Sequence, residues 1–407
     1  MHSATHAIPL IAPQAEIASP PKKATSRVAL DANNVTHDDS PVWRFGSHCV
    51  ELDGVRGIAI LLVTLYRFMK EWDPSAHWGL ALAKKYCDFG ERGVDLFFVL
   101  SGFLITGILL QTKSSPGYFK NFMVRRALRI FPLYFSALFI CLFLLPGLMA
   151  TEVFNLPRSN QAYLWTYTSN IYMAWTNSWC FGPLDHFWSL AVEEHFYLVW
   201  PAVVFCLSSK ALLRLTIGLV VVVGIVRTAF AMRPEFGLAV DSLTLFRCDA
   251  LALGAMLAVV MKNGLTVASV NRFAQWTLPV LALAGLMVVL SGKRWMGIPH
   301  TLFGCLWMVV MAIVVTRTRS HRLSQLLRIQ GLQWLGKYSY GMYVIQLPLV
   351  TLLPMATVVS WLQWDGLNPL FSGFAYVAIL MGMTCALALV SYHCLEKPFL
   401  NLKKWFA

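Results

Sequence analysis

The sequence predicts an all-α integral membrane protein with ten transmembrane helices and both termini in the cytoplasm. Of its 407 residues, 57% are hydrophobic and only 13% are charged, whereas a soluble domain carries about 25% charged residues. After residue 57, apolar stretches recur at about the 20-residue length that a helix needs to cross the hydrocarbon core. Because lipid offers no hydrogen-bond partners, each stretch is predicted to be helical.

The chain divides into a tail and a membrane domain. Residues 1–45 contain no apolar run of signal-peptide length, so they are predicted to form a disordered cytoplasmic tail. Residues 46–407 are predicted to form the transmembrane domain. Its ten predicted spans cover residues 57–71, 93–111, 129–149, 187–207, 211–231, 242–261, 273–292, 299–316, 338–358 and 371–393.

Positive charge sets the predicted orientation. The net charge of +13 would suggest a nucleic-acid partner in a soluble protein. Here Lys and Arg concentrate in alternate loops, above all in residues 317–337, as cytoplasmic loops do. This pattern requires that the polar segment 161–175 does not cross, so residues 150–186 are predicted to form a long outer loop. We therefore expect a multi-pass protein of the cell (inner) membrane that contacts the lipid bilayer and no nucleic acid.

Cysteine usage follows from this topology. Cys87 and Cys180 are the only two of the nine cysteines in predicted outer loops, so they are the one plausible disulfide pair. The chain contains no CxxC, HExxH or paired-His spacing, and no metal site is predicted.

Ionisable residues inside apolar spans cost about 2.5–3.5 kcal/mol each on insertion scales, so they are candidates for function. Arg67 follows Arg56 by eleven residues on the first predicted helix, which places it about 16 Å deeper. Three further segments concentrate such residues and contain Asp95, then Glu193, Glu194 and His195, and finally the cationic cluster Arg125, Arg126 and Arg129; Arg227, Arg247 and Asp249 lie in other spans.

At these residues the chain resembles the membrane acyltransferase-3 family, the integral-membrane O-acyltransferases of extracytoplasmic glycans. The resemblance covers about residues 48–400. Its elements occur in the order LDGVRGIA, GVDLFFVLSGFLITG, RRALRIFPLY, HFWSLAVEEHFYLVWP, FRCDALALGA, GKYSYGMY and EKPF. It implies a cytoplasmic acyl-CoA donor, in the simplest case acetyl-CoA, and a glycan or lipid-linked sugar as acceptor.

Two positions depart from the family pattern. The family has a His, thought to be the general base, where this chain has Arg67, and Gln346 stands where His is frequent. A guanidinium group stays protonated at neutral pH and cannot accept a proton. Candidates for the base are therefore His195, Glu194 and His186.

The predicted catalytic residues are Arg56, Arg67, Glu194, His195 and Asp95. Guanidinium groups pair bidentately with phosphate, so Arg125, Arg126 and Arg129 are predicted to bind the CoA phosphates, with topological anchoring as the alternative.

Several of these residues could instead have a structural role. Arg67 could snorkel to the interface, stabilise an oxyanion or bind an anionic acceptor, and Glu193 or Glu194 could pair with Arg67 or Arg247. Ser101 and Gly102 favour helix packing. Arg247 and Asp249, two residues apart on a helix, must each find another partner.

The sequence is compatible with three functional classes. The first is glycan O-acylation, the second is a catalytically silent relative that transports a glycan or lipid, and the third is acylation of a small exogenous compound such as a macrolide.

Overall fold

The computed structural model describes residues 49–148, 154, 156–264, 266–291, 298–317, 321–364 and 366–406. Every regular element in these ranges is a helix. The predicted tail of residues 1–45 lies outside the described residues.

Ten helices of 19 to 25 residues make up most of the described chain, and each overlaps one predicted span. They are α1 (Val50–Met69), α2 (Gly93–Thr112), α3 (Tyr118–Phe139), α4 (Trp188–Cys206), α5 (Ser209–Ala231), α6 (Thr244–Lys262), α7 (Val267–Ser291), α8 (Ile298–Thr316), α9 (Gln330–Leu352) and α10 (Pro369–Ser391).

The ten helices differ in whether their length and apolar composition are sufficient to cross a membrane. Seven helical stretches of the described chain are long and apolar enough to cross, and an eighth is obtained if α9 and Met355–Trp361, bent by 63°, form one span. The two long helices left over are α1 and α4, which carry the charged motifs around Arg56 and Glu193. The fold is therefore that of a membrane protein, and the count of ten crossings stays a prediction.

The polar segment 161–175 lies in two short helices, Arg158–Trp165 and Ser169–Thr176. Tyr167 between them adopts a left-handed backbone with φ 56°. Eight residues of helix reach only about 12 Å, well short of the hydrocarbon core. A 3-10 turn, Gly182–Phe187, then leads into α4.

Glycines allow the closest helix contacts. α1 packs along α9, and α2 packs along α6. A Cβ atom at Gly336 would overlap the carbonyl oxygen of Asp53, and one at Gly254 would overlap that of Val99. Gly102 meets the carbonyl oxygen of Leu251 in the same way, which confirms the predicted packing role of this glycine.

Two buried ion pairs connect the helices around α6. Arg247 Nη2 lies 2.5 Å from Asp95 Oδ1 on α2, and Arg227 Nη2 on α5 lies 2.7 Å from Asp249 Oδ2. The prediction that Arg247 and Asp249 have separate partners is confirmed. The alternative pairing of Arg247 with Glu193 or Glu194 is wrong, because the carboxylate of Asp95 occupies its guanidinium group.

The predicted disulfide is also wrong. All nine cysteines lie among the described residues, and all carry free thiols, including Cys87 and Cys180. Both side chains are only partly buried, Cys87 at the end of the helix Trp78–Cys87 and Cys180 in the segment before α4.

Candidate active site

A cavity of about 230 Å³ lies between α1, α2, α3, α4 and α9, and we call it the Glu193 cavity. Four of the sequence motifs, those that contain Arg56, Ser101, Arg126 and Glu193, contribute to its lining. Its polar lining consists of Arg56, Ser101, Arg126, Arg129, Ser189, Glu193, Glu194, Tyr197, Ser339, Tyr340 and Tyr343. Three guanidinium groups and two carboxylates thus share one small space inside an apolar protein.

A chain of hydroxyl groups joins α2 to the acidic motif of α4. Ser101 Oγ lies 2.6 Å from Tyr197 Oη, and the Tyr197 hydroxyl donates to Glu193 Oε2 at 2.9 Å. Ser101 was expected to favour helix packing, and its hydroxyl in addition belongs to this polar chain and lines the cavity. Tyr197 lies one turn after Glu193, so its place on the same helix face was open to prediction from spacing.

The carboxylate of Glu194 is differently placed. Its Oε1 is buried and has no hydrogen-bond partner within the described part of the chain. A buried acceptor without a partner is costly, so it is a natural site for a donor group on a ligand.

The cations of the cavity are held by neighbouring side chains. Arg56 Nη1 lies 2.6 Å from Asp53 Oδ1. The Arg126 guanidinium carbon lies 5.6 Å from the ring centroid of Tyr197 and 5.7 Å from that of Phe122. These contacts keep the guanidinium groups in place when no anion is bound.

A second cavity of about 630 Å³, the Arg125 cavity, adjoins the first and shares Ile108 and Arg126 with it. Its other lining residues are Thr112, Ser115, Pro116, Tyr118, Asn121, Phe122, Arg125, Lys403 and Phe406. The three arginines predicted to act together are therefore divided, with Arg125 here, Arg129 in the Glu193 cavity and Arg126 in both. Lys403 was missed as a site residue because it is distant in sequence.

A third cavity of about 320 Å³, the Arg67 cavity, shares Val94 with the Glu193 cavity. Its polar and aromatic lining consists of Tyr66, Arg67, Lys70, Glu71, Glu91, Trp179, Asp185, His186, Trp188 and Asp241. Burial raises the pKa of Asp185 to about 6, although the Phe181 N–H and the charge of Arg67 oppose the shift.

Arg67 and Arg56 lie on nearly the same face of α1, since eleven residues make about three turns. They nevertheless line different cavities. The Arg67 guanidinium carbon lies 5.8 Å from the ring centroid of Tyr343, and its Nε is buried without a hydrogen-bond partner among the described residues. Arg67 therefore faces the protein interior at the boundary of the two cavities.

That boundary is formed by hydrogen-bonded side chains. Ser189 Oγ lies 2.5 Å from Tyr343 Oη, and each of these two oxygens lies 3.1 Å from the carbonyl oxygen of His186. Ser189 and Tyr343 line the Glu193 cavity, whereas His186 lines the Arg67 cavity. Sequence reasoning missed Ser189 and Tyr343, since contacts over more than 150 residues leave no local pattern.

Two predicted catalytic residues lie outside the described linings of all three cavities. Asp95 is paired with Arg247 and lies 3.5 Å from Arg92 Nη1. His195 Nδ1 lies 2.7 Å from the Thr244 hydroxyl. The structure thus brings Arg56 and Glu194 together, places Arg67 in the adjacent cavity, and separates Asp95 and His195 from them.

The helical membrane fold and its charged internal cavities define a membrane-embedded domain with a polar reaction space. Residues 50–393 match the family described as the acyltransferase domain. The chain belongs to this family, and the resemblance drawn from the motifs is confirmed.

Three curated relatives are similar over most of the chain. Peptidoglycan O-acetyltransferase OatA of Listeria monocytogenes is 26% identical over 87% of this chain and 57% of its own length. The putative peptidoglycan O-acetyltransferase YrhL of Bacillus subtilis is 28% identical over 85% and 54%. O-acetyltransferase OatA of Staphylococcus aureus is 24% identical over 85% and 56%. The chain thus spans little more than half the length of these relatives. No solved structure matches it.

Proposed function

We propose that the protein is an O-acyltransferase that moves an acyl group from cytoplasmic acyl-CoA to a hydroxyl of an extracytoplasmic glycan or lipid-linked sugar. The observation that carries this proposal is the row of three cavities linked by shared lining residues, Arg126 and Ile108 at one junction and Val94 at the other. Relatives named as peptidoglycan O-acetyltransferases favour acetyl as the group and a glycan as the acceptor.

The Arg125 cavity is the proposed donor entrance. Arg125 and Arg126 supply two cations for the CoA phosphates, and Lys403 adds an amine donor. Basic residues lie just before α3 and in its first half, at Lys113, Lys120, Arg125 and Arg126, and again near the C-terminus at Lys403 and Lys404, which supports a cytoplasmic position for this end. Acetyl-CoA is the simplest donor that fits these requirements.

The thioester end is proposed to enter the Glu193 cavity. Arg56 and Arg129 are available there to stabilise negative charge, and the unpartnered Oε1 of Glu194 is available to a ligand donor. Asp95 is proposed to position Arg247 rather than to touch substrate. His195 is the other candidate base; it lies outside the described cavity linings, where its hydrogen bond with Thr244 holds the ring.

The acceptor is proposed to occupy the Arg67 cavity, at the opposite end of the row. This arrangement requires all ten long helices to cross the inner membrane, with both termini cytoplasmic. Helices α1 and α4 are proposed to cross despite their charges, because Arg56, Arg67, Glu193 and Glu194 face internal cavities rather than lipid.

The test is acetyl-CoA binding and transfer by the purified protein in nanodiscs. Radiolabelled acetyl-CoA and soluble peptidoglycan fragments would serve as donor and acceptor. Arg125→Ala/Arg126→Ala should weaken acetyl-CoA binding about 10-fold or more, because two charged hydrogen-bond donors are lost. Arg214→Ala is the matched control, since this exposed arginine lies near the start of α5 and outside the described cavity linings.

The outcomes separate the alternatives. Acetyl transfer to the fragments supports the proposal, and transfer only to a small exogenous compound supports the third class. If the protein binds no acyl-CoA and the double variant has no phenotype, the enzymatic proposal fails and a transporter of glycan or lipid is favoured.

A further inference from the structure

We propose that Nδ1 of His186 is the general base that accepts the proton of the acceptor hydroxyl. The inference rests on the proposed O-acyl transfer and assigns the proton-accepting group, a role that Arg67 cannot fill.

The imidazole is positioned with one nitrogen occupied and the other free. The side chain of His186 is 1% exposed and lines the Arg67 cavity. Its Nε2 lies 3.3 Å from the carbonyl oxygen of Val344, a contact that requires a hydrogen on Nε2. The lone pair of a neutral ring is then on Nδ1, which is buried and has no hydrogen-bond partner among the described residues.

The backbone of the same residue faces the donor side. The hydroxyls of Ser189 and Tyr343, which line the Glu193 cavity, both contact the His186 carbonyl oxygen. His186 therefore lies in the wall between the proposed donor and acceptor spaces. Arg67 lies at the same wall, over the ring of Tyr343.

The environment favours the neutral ring that a base requires. Burial and, to a lesser extent, the nearby charge of Arg67 lower the pKa of His186 well below its usual value. The imidazole is therefore neutral at pH 7, which leaves the lone pair on Nδ1.

The other proton acceptors of the cavity are less suitable. Glu71 and Glu91 are exposed to solvent. Asp185 already accepts a backbone N–H at 2.8 Å, and Asp241 Oδ1 lies 3.1 Å from His300 Nε2. Among the described lining residues, His186 is fully buried and its Nδ1 has no hydrogen-bond partner, whereas the side chain of Asp185 is only partly buried.

The proposed transfer begins with the loss of a proton from the acceptor hydroxyl. The acceptor hydroxyl gives its proton to His186 Nδ1 while its oxygen forms a bond to the thioester carbonyl carbon. The resulting oxyanion is stabilised by Arg67 from the acceptor side of the wall and by Arg56 and Arg129 from the donor side. The C–S bond then breaks, the CoA thiolate leaves, and it takes the proton back from the imidazolium, which restores the neutral ring.

The test compares variants for acetyl transfer to peptidoglycan fragments and for acetyl-CoA binding. His186→Gln retains an amide donor for the Val344 carbonyl and removes the basic nitrogen. The kcat for transfer should fall about 100-fold or more, the usual contribution of a positioned base, with the Kd for acetyl-CoA within about twofold. His77→Asn is the matched control and should leave the rate unchanged, because His77 lies outside the described cavity linings and caps the helix Trp78–Cys87 by accepting a hydrogen bond from the Gly79 N–H.

A second variant guards against a purely structural effect. In His186→Ala, added imidazole should restore transfer at least about 10-fold, because it replaces the missing proton acceptor. A variant whose only defect is altered packing would not regain activity in this way. Transfer at the wild-type rate by folded His186→Gln overturns the proposal, as does a rate loss seen with His195→Gln instead. If the wild-type protein binds no acetyl-CoA, the proposed function itself falls and this inference with it.

Discussion

Arg247 on α6 donates to Asp95 on α2 across a distance of 2.5 Å, and neither side chain is more than 3% exposed. The two residues are 152 positions apart in the sequence. Arg247 also contacts His300 on α8, whose Nε2 lies 3.1 Å from Asp241. This pair thus anchors a charged network that joins three helices next to the Arg67 cavity.

We expect Asp95→Ala to lower the free energy of unfolding by about 3–5 kcal/mol, because Arg247 would keep a buried charge without its partner. The double variant Asp95→Leu/Arg247→Met should recover much of this loss, since it removes both charges. Thermal unfolding in detergent provides the measurement, with exposed Asp73→Ala as control. Equal losses in the single and double variants would contradict the role of the ion pair.

Because α2 and α6 are in close contact at Gly254, a single added methyl group there should lower the stability of the protein. Gly254→Ala should destabilise the protein by about 1–3 kcal/mol, because the new Cβ would overlap the backbone of α2 at Val99. Gly382→Ala on α10, where a Cβ would meet nothing within 4 Å, should be neutral or stabilising. A Tm comparison of the two variants tests this, and equal Tm values would show that α2 and α6 do not pack so closely.

Removing one hydroxyl should disconnect the polar chain of the Glu193 cavity. Tyr197→Phe takes the donor from Glu193 and the partner from Ser101, so acyl transfer should fall about 10-fold to 100-fold. Tyr376→Phe, which loses only a bond to the Leu353 carbonyl outside the described cavity linings, is the control. The measurement is kcat with radiolabelled acetyl-CoA. A similar small change in both variants would argue against a catalytic use of the chain.

Asp185 should make stability depend on pH. Its folded-state pKa of about 6 exceeds the ordinary value of 3.8. Its contribution to stability is therefore full below about pH 4 and is lost as the pH rises through about 6. Asp185→Asn keeps an acceptor for the Phe181 N–H, so its Tm relative to wild type should increase between pH 5 and pH 7. A constant Tm difference over this range would show that the carboxyl titrates normally.

The sequence determined the membrane class, the ten long helices and the order of the charged motifs. The physical reason is local, because apolar length and helical backbone bonding depend on neighbouring residues. The same holds for the separation of Arg247 and Asp249 into two different pairs, which follows from helical geometry over two residues.

The tertiary structure alone decided which charges share a space. Arg56 and Arg67 lie on one face of α1, yet only Arg56 joins Glu194, because the Ser189–Tyr343 contact separates the two cavities. The free Nδ1 of His186 is likewise invisible in the sequence, since its environment comes from α9. Contacts between distant helices depend on packing, and no local pattern encodes them.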